Sequence, residues 1–539
     1  MADSALRRDL QGGPPGQIPP GADLPPGLDL PMRRKAIALA GILSTLFLAS
    51  LDQTIVSVAL PRIVSDLGGL DLFVWPFTAY MLSSTAVVPI VGKVSDVYGR
   101  KPLILLGIVV FVVGSWLSGM SGSMSQLIAF RAVQGLGAGF VMTTAFTSVG
   151  DLFSPRDRGR WMGLFTGTFG LASIIGPLVG GTLTDHVSWR WIFYLNVPVA
   201  IVAIGLIWYG LPWYRRPQPE RVDYLGGVFL IGAAVPLLLG FSWAGNQYGW
   251  TEAPVVISFG TAALFLVLTL IQITRNESPV LPLHLFKNRT YTISILATMV
   301  LGIGMMGALQ FLPLFLQGAQ GVSATNSGTV TMPMMGGMVF GSVIAGQLLS
   351  RGRDMYYLTI FGGVCLISSL FLLSTLDASS SQWLTRGYMV VLGVGMGFWM
   401  PIFQLAVQNA LPHSQLGVGT ASLQFFRQIS GTFAVAVFGA VLASNFATKL
   451  AAAVPPQFSQ VLEDPQILLS PEGAAAFAAA VEKQAPGTSE QVVSSARVAL
   501  GDAVTELFLV ATVISIVGLI IGLFMPRTEL RGRPSPMLG

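Results

Sequence analysis

Residues 92–102 read Gly92-Lys-Val-Ser-Asp-Val-Tyr-Gly-Arg-Lys-Pro102 and lie between two long apolar runs. A stretch this short cannot form a soluble domain between two membrane spans, so we predict a tight loop whose two glycines allow the chain to reverse. Its charged side chains, which are available to contact the ends of neighbouring helices, are Lys93, Asp96, Arg100 and Lys101. A basic cytoplasmic loop would explain the lysines and the arginine, but it would not explain Asp96 or the paired glycines.

The composition of the whole chain indicates a polytopic membrane protein. Of its 539 residues, 53% are hydrophobic and only 10% are charged, whereas soluble domains carry about 25% charged residues. The formal net charge of +5 does not indicate nucleic-acid binding, because the basic residues are scattered over short loops. The single cysteine, Cys365, excludes an intramolecular disulfide and a thiolate metal cluster. With no paired histidines either, the sequence predicts neither a metal site nor a cofactor.

Apolar runs of about 20 residues recur along the chain, and each is long enough to cross a hydrocarbon core of about 30 Å as a helix. We predict fourteen spans, near residues 36–60, 74–94, 102–122, 126–150, 160–184, 190–211, 224–243, 253–274, 291–316, 327–349, 355–375, 385–410, 416–443 and 504–525. Lysine and arginine are concentrated in the loops that this topology places inside, so both termini are predicted to be cytoplasmic.

The 92–102 loop resembles the signature loop between spans two and three of major facilitator superfamily transporters, whose pattern is G-x-L-x-D-x-x-G-R-K. The matching residues are Gly92, Asp96, Gly99, Arg100 and Lys101. In span four, Arg131-Ala-Val-Gln-Gly-Leu-Gly-Ala-Gly139 resembles the superfamily motif R-x-x-Q-G-x-G-A. Glycines at this density allow two helix backbones to approach closely in lipid.

Span five contains Gly167-Thr-Phe-Gly-Leu-Ala-Ser-Ile-Ile-Gly-Pro-Leu-Val-Gly-Gly181, which resembles the antiporter motif G-x-x-x-G-P-x-x-G-G of superfamily exporters. Its matching core is Gly176, Pro177, Gly180 and Gly181, while Ala172 stands where a glycine is usual. The proline removes one backbone hydrogen bond and bends the helix. We therefore predict a helix that can rock against a neighbour during transport, although a kink without a transport role is the alternative.

Further strings resemble the fourteen-span drug:proton antiporter branch, the EmrB/QacA type. They are Leu51-Asp-Gln-Thr54, residues 189–198, Phe311-Leu-Pro-Leu-Phe-Leu-Gln317 and Phe425-Phe-Arg-Gln-Ile-Ser-Gly431. The resemblance implies an all-α polytopic membrane protein with the major facilitator fold, in which two six-helix bundles are related by a repeat. A degenerate second copy of the 92–102 loop is recognisable in Gly346-Gln-Leu-Leu-Ser-Arg-Gly-Arg353.

On this basis the chain divides into five parts. The predicted parts are a disordered cytoplasmic tail at 1–35, an N-terminal bundle at 36–211, two extra central spans at 224–274, a C-terminal bundle at 291–525 that includes an outer loop at 444–503, and a cytoplasmic tail at 526–539. The first tail is rich in proline and glycine without a repeat, as disordered segments often are.

Ionisable side chains inside a bilayer are costly and need a reason. Three lie well inside the predicted spans, namely Asp52, Arg131 and Arg427. Asp52 and Arg131 lie at similar depths below the outer surface, so they can interact directly or through water. Moving the arginine away, or bringing substrate close, would shift the proton equilibrium of the carboxylate. We predict that this pair couples transport to protons, and the alternative is a static ion pair that only fixes helix packing.

Polar side chains on the central spans are candidates to line the substrate cavity, although each can equally serve a helix–helix contact. They are Gln53, Thr54, Gln134, Gln310, Gln317, Gln404, Gln408, Asn409, Gln424 and Gln428. Arg427 is a further candidate, which can bind an anionic group, pair with a carbonyl or gate the cavity. Spans seven to fourteen hold no clear intramembrane carboxylate except Glu506 near an outer end, so broad export of dications is not expected.

The sequence therefore predicts a secondary transporter of the cell inner or plasma membrane that exports lipophilic small molecules by alternating access. The proton gradient would drive it with about one proton per cycle, and it would act as a monomer in the lipid bilayer. The alternatives are an exporter of one dedicated lipid or metabolite, or a proton-coupled uptake symporter of the same fold. A membrane enzyme would need a His/Asp or Ser/His constellation, and an ATP-driven pump would need a Gly-Lys-Ser/Thr phosphate loop. Neither pattern is present, and the use of a periplasmic adaptor stays open.

Overall fold

The computed structural model describes residues 29–68, 72–73, 75–213, 222–244, 248–276, 278–322, 324–454, 471–484 and 487–526. Most of both predicted tails, and residues 455–470 of the predicted outer loop, lie outside the described residues. The first helix already begins at Met32, so the last residues assigned to the N-terminal tail are helical.

Six helices form the N-terminal bundle. They are α1 Met32–Leu67, α2 Trp75–Tyr98, α3 Arg100–Met120, α4 Met124–Leu152, α5 Pro155–His186 and α6 Trp191–Gly210. These apolar runs fold as helices because a helix satisfies its backbone hydrogen bonds within one segment, which lipid requires. Serine caps fix two of the starts: Ser123 accepts from the backbone N–H of Gln126, and Ser154 accepts from that of Asp157.

Two further helices form a pair beside the bundles. They are α7 Tyr224–Trp243 and α8 Ala253–Arg275. Helix α7 packs against α2 of the first bundle and against a helix of the second bundle, whereas α8 packs mainly against α7. The pair therefore occupies the place that the sequence assigned to two extra central spans.

The second bundle follows. Its helices are α9 Arg289–Leu314, α10 Ala324–Ser350, α11 Met355–Ser374, α12 Gln382–Ala410, α13 Leu416–Ala453 and α15 Ser489–Leu523, while the shorter α14 Pro471–Gln484 packs against α15. Among the described residues, thirteen helices are long and apolar enough to cross a membrane. The remaining predicted span is α9, of which the apolar part Arg289–Gly304 is shorter. The predicted all-helical fold is confirmed, with a span count that agrees closely.

The two bundles meet along two helix pairs that are related by the internal repeat, α2 with α13 and α5 with α10. We call the face that carries the 92–102 loop the inner face, following the predicted orientation. Hydrogen bonds between the bundles lie between this face and the membrane centre, as in Asp96 with Val418 and Thr85 with Gln428. At the outer end, the hydrophobic cluster around Ile55, Ile63 and Trp189 consists of N-terminal residues alone. The described bundles are therefore held together at the inner face.

Candidate proton site, inner gate and C-terminal cavity

Asp52 lies on α1 in a fully buried polar network. The guanidinium of Arg131 on α4 donates to one carboxylate oxygen at 2.5 Å, and the Gln134 amide donates to the other at 2.8 Å. The amide of Asn196 on α6 adds a third contact at 3.2 Å. Asp52 is 1% exposed and Arg131 is 0% exposed. Of the two forms of interaction predicted for this pair, the structure shows the direct one.

The rest of the guanidinium is held by α2. Arg131 Nε donates to the backbone oxygen of Pro76 at 3.3 Å, and Arg131 Cζ lies 4.3 Å from the centre of the Tyr80 ring. Its Nη2 has no hydrogen-bond partner among the described residues. Glycines of the span-four motif explain the closeness of the helices, because a Cβ at Gly135 would collide with Tyr80 and one at Gly137 would collide with Phe111.

Sequence reasoning missed the polar groups behind Asp52. Asn196 also donates to Ser115 Oγ at 2.9 Å, and that hydroxyl donates to the backbone oxygen of Phe193 at 2.8 Å. Asn196 lies within the 189–198 string that the sequence singled out only as a family resemblance. An asparagine in an apolar span needs a buried partner, and that signal was available in the sequence.

The glycine/proline motif of α5 packs against α1 just above Asp52. A Cβ at Gly176 would collide with Thr54, one at Gly180 would lie 3.0 Å from Ile55, and one at Gly181 would meet open space. Thr54, predicted to line the cavity, donates to backbone oxygens of its own helix and to that of Ala172 at 3.3 Å. The motif therefore lets α5 contact the helix that carries the buried acid.

Residues 92–102 form a contact between the bundles that we call the candidate inner gate. The predicted extent of the loop is wrong, because α2 continues through Gly92 to Tyr98 and only Gly99 separates it from α3. The Asp96 carboxylate accepts from the backbone N–H groups of Gly417 at 2.9 Å and Val418 at 3.0 Å, at the start of α13. It thus caps a helix of the other bundle, where the positive end of the helix dipole favours an anion. A Cβ at Gly92 would lie 2.7 Å from the backbone oxygen of Gly417, so glycine is needed for this close approach.

Further charged contacts surround this cap. Arg100 Nη2 donates to Asp96 Oδ1 at 2.6 Å, and Arg100 Nε lies 3.3 Å from a carboxylate oxygen of Asp151 at the inner end of α4. The other Asp151 oxygen lies 2.9 Å from His413 Nε2 of the C-terminal bundle. The expectation that no histidine and aspartate come together at a membrane face was therefore wrong, because packing of the two bundles joins residues that are far apart in sequence. Lys101 donates to the backbone oxygen of Trp208 at 2.5 Å. Gly99 has φ 90°, a backbone conformation that favours glycine, and it turns the chain between α2 and α3.

The remaining cavity candidates divide by their surroundings. Gln134 belongs to the Asp52 network, Gln408 donates to the backbone oxygen of Phe146 at 3.1 Å, and Gln428 contacts Thr85. Gln317 donates to Ser327 Oγ at 3.4 Å, Gln310 is exposed and Gln53 is partly buried. These placements do not test whether the residues contact a substrate.

A cavity inside the C-terminal bundle brings three other candidates together. Its polar lining consists of Gln404, Gln424, Arg427 and Thr298, and aromatic and methionine side chains form much of the rest. Gln404 donates to Thr420 Oγ1 at 3.2 Å, whereas neither amide atom of Gln424 has a partner among the described residues. Within the part of the chain that the structure describes, no group of three His, Cys, Asp or Glu side chains could hold a metal ion.

Known proteins share both the sequence and the fold of this chain. The Multidrug transporter protein MdtP of Bacillus subtilis (strain 168) is 37% identical over 524 residues, which cover 93% of this chain and 94% of that protein. Multidrug resistance protein 3 of the same organism is 32% identical over 91% of this chain and 95% of its own length. The predicted resemblance to drug exporters is therefore confirmed at the level of sequence.

Solved structures agree on the fold. The human organic anion transporter MFSD10 (TETRAN) superposes with a TM-score of 0.58 at 14% identity, covering 89% of this chain and 99% of that protein. A bacterial homologue of the human lysosomal transporter Spinster, solved inward-facing and unoccupied, gives 0.56 at 13% identity, covering 93% and 99%. Residues 42–435 match the Major Facilitator Superfamily as a whole. The chain is a multi-pass membrane protein that belongs to this superfamily of transporters.

Proposed function

We propose that this chain exports lipophilic small molecules in exchange for protons, and that Asp52 is the group that carries the proton. One observation supports this most strongly: a buried carboxylate on α1 receives three hydrogen bonds, from Arg131, Gln134 and Asn196. Because an ionised carboxylate only accepts hydrogen bonds, three donors suit its deprotonated form. We infer that this arrangement, in which the bundles are held together at the inner face, is the outward-facing stage that waits for a proton.

Protonation would remove the charge that holds Arg131. The guanidinium would keep its contacts with Pro76 and Tyr80 but lose its counter-charge, so α1 and α4 would be free to shift relative to each other. Substrate that enters from the inner face would favour renewed pairing of Arg131 with Asp52, and Asp52 would then release its proton. This exchange is the antiport that the sequence predicts, with about one proton per cycle.

Helix α4 provides a physical connection between the proton site and the inner gate. It carries Arg131 near its outer end and Asp151, which lies 3.3 Å from Arg100, at its inner end. Twenty residues of helix separate these two, a distance of about 30 Å. A shift of α4 at Asp52 would therefore disturb the contacts that keep the inner face closed, which is the requirement for alternating access.

Outward export is favoured by two features. The glycine/proline motif of α5 packs directly on the segment of α1 that carries Asp52. Two relatives that match most of the chain are named as a multidrug transporter and a multidrug resistance protein. We place the protein in the cell inner or plasma membrane with both termini cytoplasmic, because lysine and arginine are concentrated at the inner face.

The test compares Asp52→Asn with Asp66→Asn in everted membrane vesicles that are energised by an imposed proton gradient. Asp66 lies at the outer end of the same helix and accepts from Trp189 Nε1 at 2.9 Å, so it controls for loss of a carboxylate on α1. We expect Asp52→Asn to lose gradient-driven accumulation of ethidium by at least about tenfold, while Asp66→Asn stays within about twofold.

Equal accumulation by wild type and Asp52→Asn would refute proton coupling through Asp52. Transport that proceeds down the gradient together with the proton, measured in right-side-out vesicles, would instead identify an uptake symporter of the same fold.

A further inference from the structure

Arg427 is a charged side chain within a membrane-spanning helix, and it has no partner among the described residues. It lies on α13 eleven residues after the first residue of that helix, which places it about 16 Å along the axis from the inner end. Its side chain makes no hydrogen bond or ion pair with any described residue, and it lines the C-terminal cavity. An arginine at membrane depth almost always pairs with a carboxylate or with backbone carbonyls, so its solitary position needs an explanation.

Among the described residues, no carboxylate forms an ion pair with Arg427. On α15 of the same bundle, Glu506 instead pairs with Lys449 at 2.8 Å and accepts from Asn445. From residue 289 to residue 453 the chain contains only two acidic residues, Asp354 and Asp377. Asp354 caps the start of α11, and Asp377 binds the Ser379 and Ser380 hydroxyls in the loop between α11 and α12. Neither lies inside a span. The charge of Arg427 is therefore left for something outside these helices to balance.

Other unsatisfied polar atoms lie in the same cavity. Gln424 is 1% exposed, and neither its amide nitrogen nor its amide oxygen has a partner in the described part of the chain. The Thr298 hydroxyl on α9 is also buried without a partner there. Each such group costs about 1–3 kcal/mol if it stays unsatisfied. Arg427, Gln424 and Thr298 thus offer several hydrogen-bond donors to one small region.

The remaining walls of the cavity are apolar and adaptable. They include Met396, Trp399, Met400 and Phe403 on α12, together with Leu366 on α11 and Leu423 on α13. Aromatic rings and methionine side chains favour flat or irregular apolar groups. The cavity therefore combines one cationic end with an apolar body, as expected for a ligand with one acidic group and a hydrophobic part.

We propose that this cavity binds lipophilic monocarboxylates, with the carboxylate held by Arg427 and Gln424 and the apolar part against Trp399 and Phe403. The inference rests on the proposed export function and adds one substrate class to it. Ethidium is a cation that Arg427 would not hold, so ethidium transport tests proton coupling and not this cavity. A planar guanidinium fork matches the two oxygens of a carboxylate. A single arginine balances one negative charge, so a phosphate dianion would remain partly uncompensated in the cavity.

The test measures equilibrium binding to the purified full chain by calorimetry, without any proton gradient. The probes are 1-naphthaleneacetate, its neutral isostere 1-naphthaleneacetamide, and the dianionic 1-naphthylmethylphosphonate. We expect the wild type to bind the carboxylate at least about tenfold more tightly than the amide and more tightly than the phosphonate. Arg427→Gln should remove the preference for the acid over the amide, while Gln424→Leu should reduce it about threefold to tenfold.

Arg386→Gln is the matched control, because that arginine lies on α12 with its guanidinium 4.4 Å from the Trp383 ring and does not line the cavity. It should leave both affinities unchanged. Equal binding of acid and amide by the wild type would overturn the proposal, as would a preference that survives Arg427→Gln in a folded protein. Tighter binding of the phosphonate would overturn the choice of carboxylate. If Arg427→Gln does not fold, an unchanged preference of Gln424→Leu for the acid over the amide would overturn the proposal instead.

Asp52→Asn separates this proposal from proton coupling. It should bind 1-naphthaleneacetate like the wild type while failing to transport, because Asp52 lies in the other bundle. If the wild type couples transport to protons but binds the acid and the amide equally well, only the cavity assignment is refuted. If Asp52→Asn keeps the preference for the acid and also keeps proton-coupled transport, only the proton site is refuted.

Discussion

The two bundles have the same helical architecture but use charge in opposite ways. In the N-terminal bundle, the buried arginine has a carboxylate at 2.5 Å, and the gate residues Asp96, Arg100 and Asp151 form a chain of opposite charges. In the C-terminal bundle, Arg427 lines a cavity in a stretch of sequence without an intramembrane acid. The difference is consistent with the two proposals made above, in which the first bundle carries the proton and the second bundle binds an anionic substrate.

The two contacts between the bundles at the inner face differ in the same way. Where α2 meets α13, Asp96 of one bundle caps the helix of the other. Where α10 meets α5, Ser350 takes the corresponding place four residues after Gly346 and donates to its own helix, while α5 is capped by its own Ser154. One contact thus depends on charge between bundles, and the other depends on close packing of glycines.

The largest expected effect concerns the paired arginine. Arg131→Leu leaves Asp52 as a buried charge without its ion-pair partner, so we expect it to destabilise the folded protein by about 3–5 kcal/mol. The double variant Asp52→Asn/Arg131→Leu removes both charges and should recover most of that loss. Thermal unfolding of the purified proteins measures both effects, and gradient-driven ethidium transport is measured in parallel.

This pair of variants separates a proton carrier from a static ion pair. If Asp52 and Arg131 only fix helix packing, the double variant should regain transport together with stability. We expect it to regain stability alone, because no group is left to carry the proton. A double variant as unstable as Arg131→Leu would show that the pair is not energetically coupled.

A smaller effect is expected at the charged gate contact. Asp96→Asn removes the charge that caps α13 and pairs with Arg100, and hydrogen bonds to charged groups contribute about 2 kcal/mol. The closed inner face should lose about this much stability relative to the open one. Spin labels at Arg160→Cys and Arg351→Cys, in a Cys365→Ser background, would report the change as a larger population of long distances between α5 and α10.

Asp354→Asn is the control for this measurement. Asp354 also caps a helix near the inner face, since it accepts from the N–H of Tyr356, but it does so within its own bundle. Asparagine caps helices about as well as aspartate, so the label distances should not change. A similar shift in both variants would mean that surface charge, and not the cap between bundles, keeps the gate closed.

Much of the fold follows from sequence alone, because the bilayer imposes helices of a minimum length. The apolar runs gave fourteen spans, and the described helices agree closely in number and position. The ends were harder to predict. Helix α13 extends to Ala453, beyond the predicted end at 443, and helix α15 begins at Ser489, before the predicted start at 504. An alanine-rich stretch outside the lipid can remain helical without the apolar pattern that marks a span.

At the candidate site, the similar depths of Asp52 and Arg131 in the membrane predicted a contact between them, since opposite charges in a low-dielectric medium attract each other strongly. Depth does not specify rotation about a helix axis. Asn196 and Tyr80 were therefore missed, and the partners of Asp96 on α13 could not be predicted because they are backbone N–H groups. A backbone donor leaves no trace in the side-chain sequence. Its position depends on which helices meet, and packing of the two bundles decides that.

The smallest expected effect concerns the glycine contact of the C-terminal bundle. A Cβ at Gly346 would collide with the backbone oxygen of Gly159 and lie 3.3 Å from the Cα of Arg160, so α10 and α5 would have to separate. Gly346→Ala should therefore disfavour the closed inner face by about 1–2 kcal/mol and lengthen the same label distances as Asp96→Asn.

Gly336→Ala is the matched control on the same helix, because an added Cβ there meets no atom within 4 Å. It should leave the distances unchanged and can even raise thermal stability slightly, since alanine favours helix over glycine. Raising the salt concentration should not change the label distances of either glycine variant, because packing does not depend on charge screening. A Gly346→Ala protein with wild-type distances would show that α5 and α10 accommodate the added methyl group without separating, and that the close contact between these glycines does not control closure of the inner face.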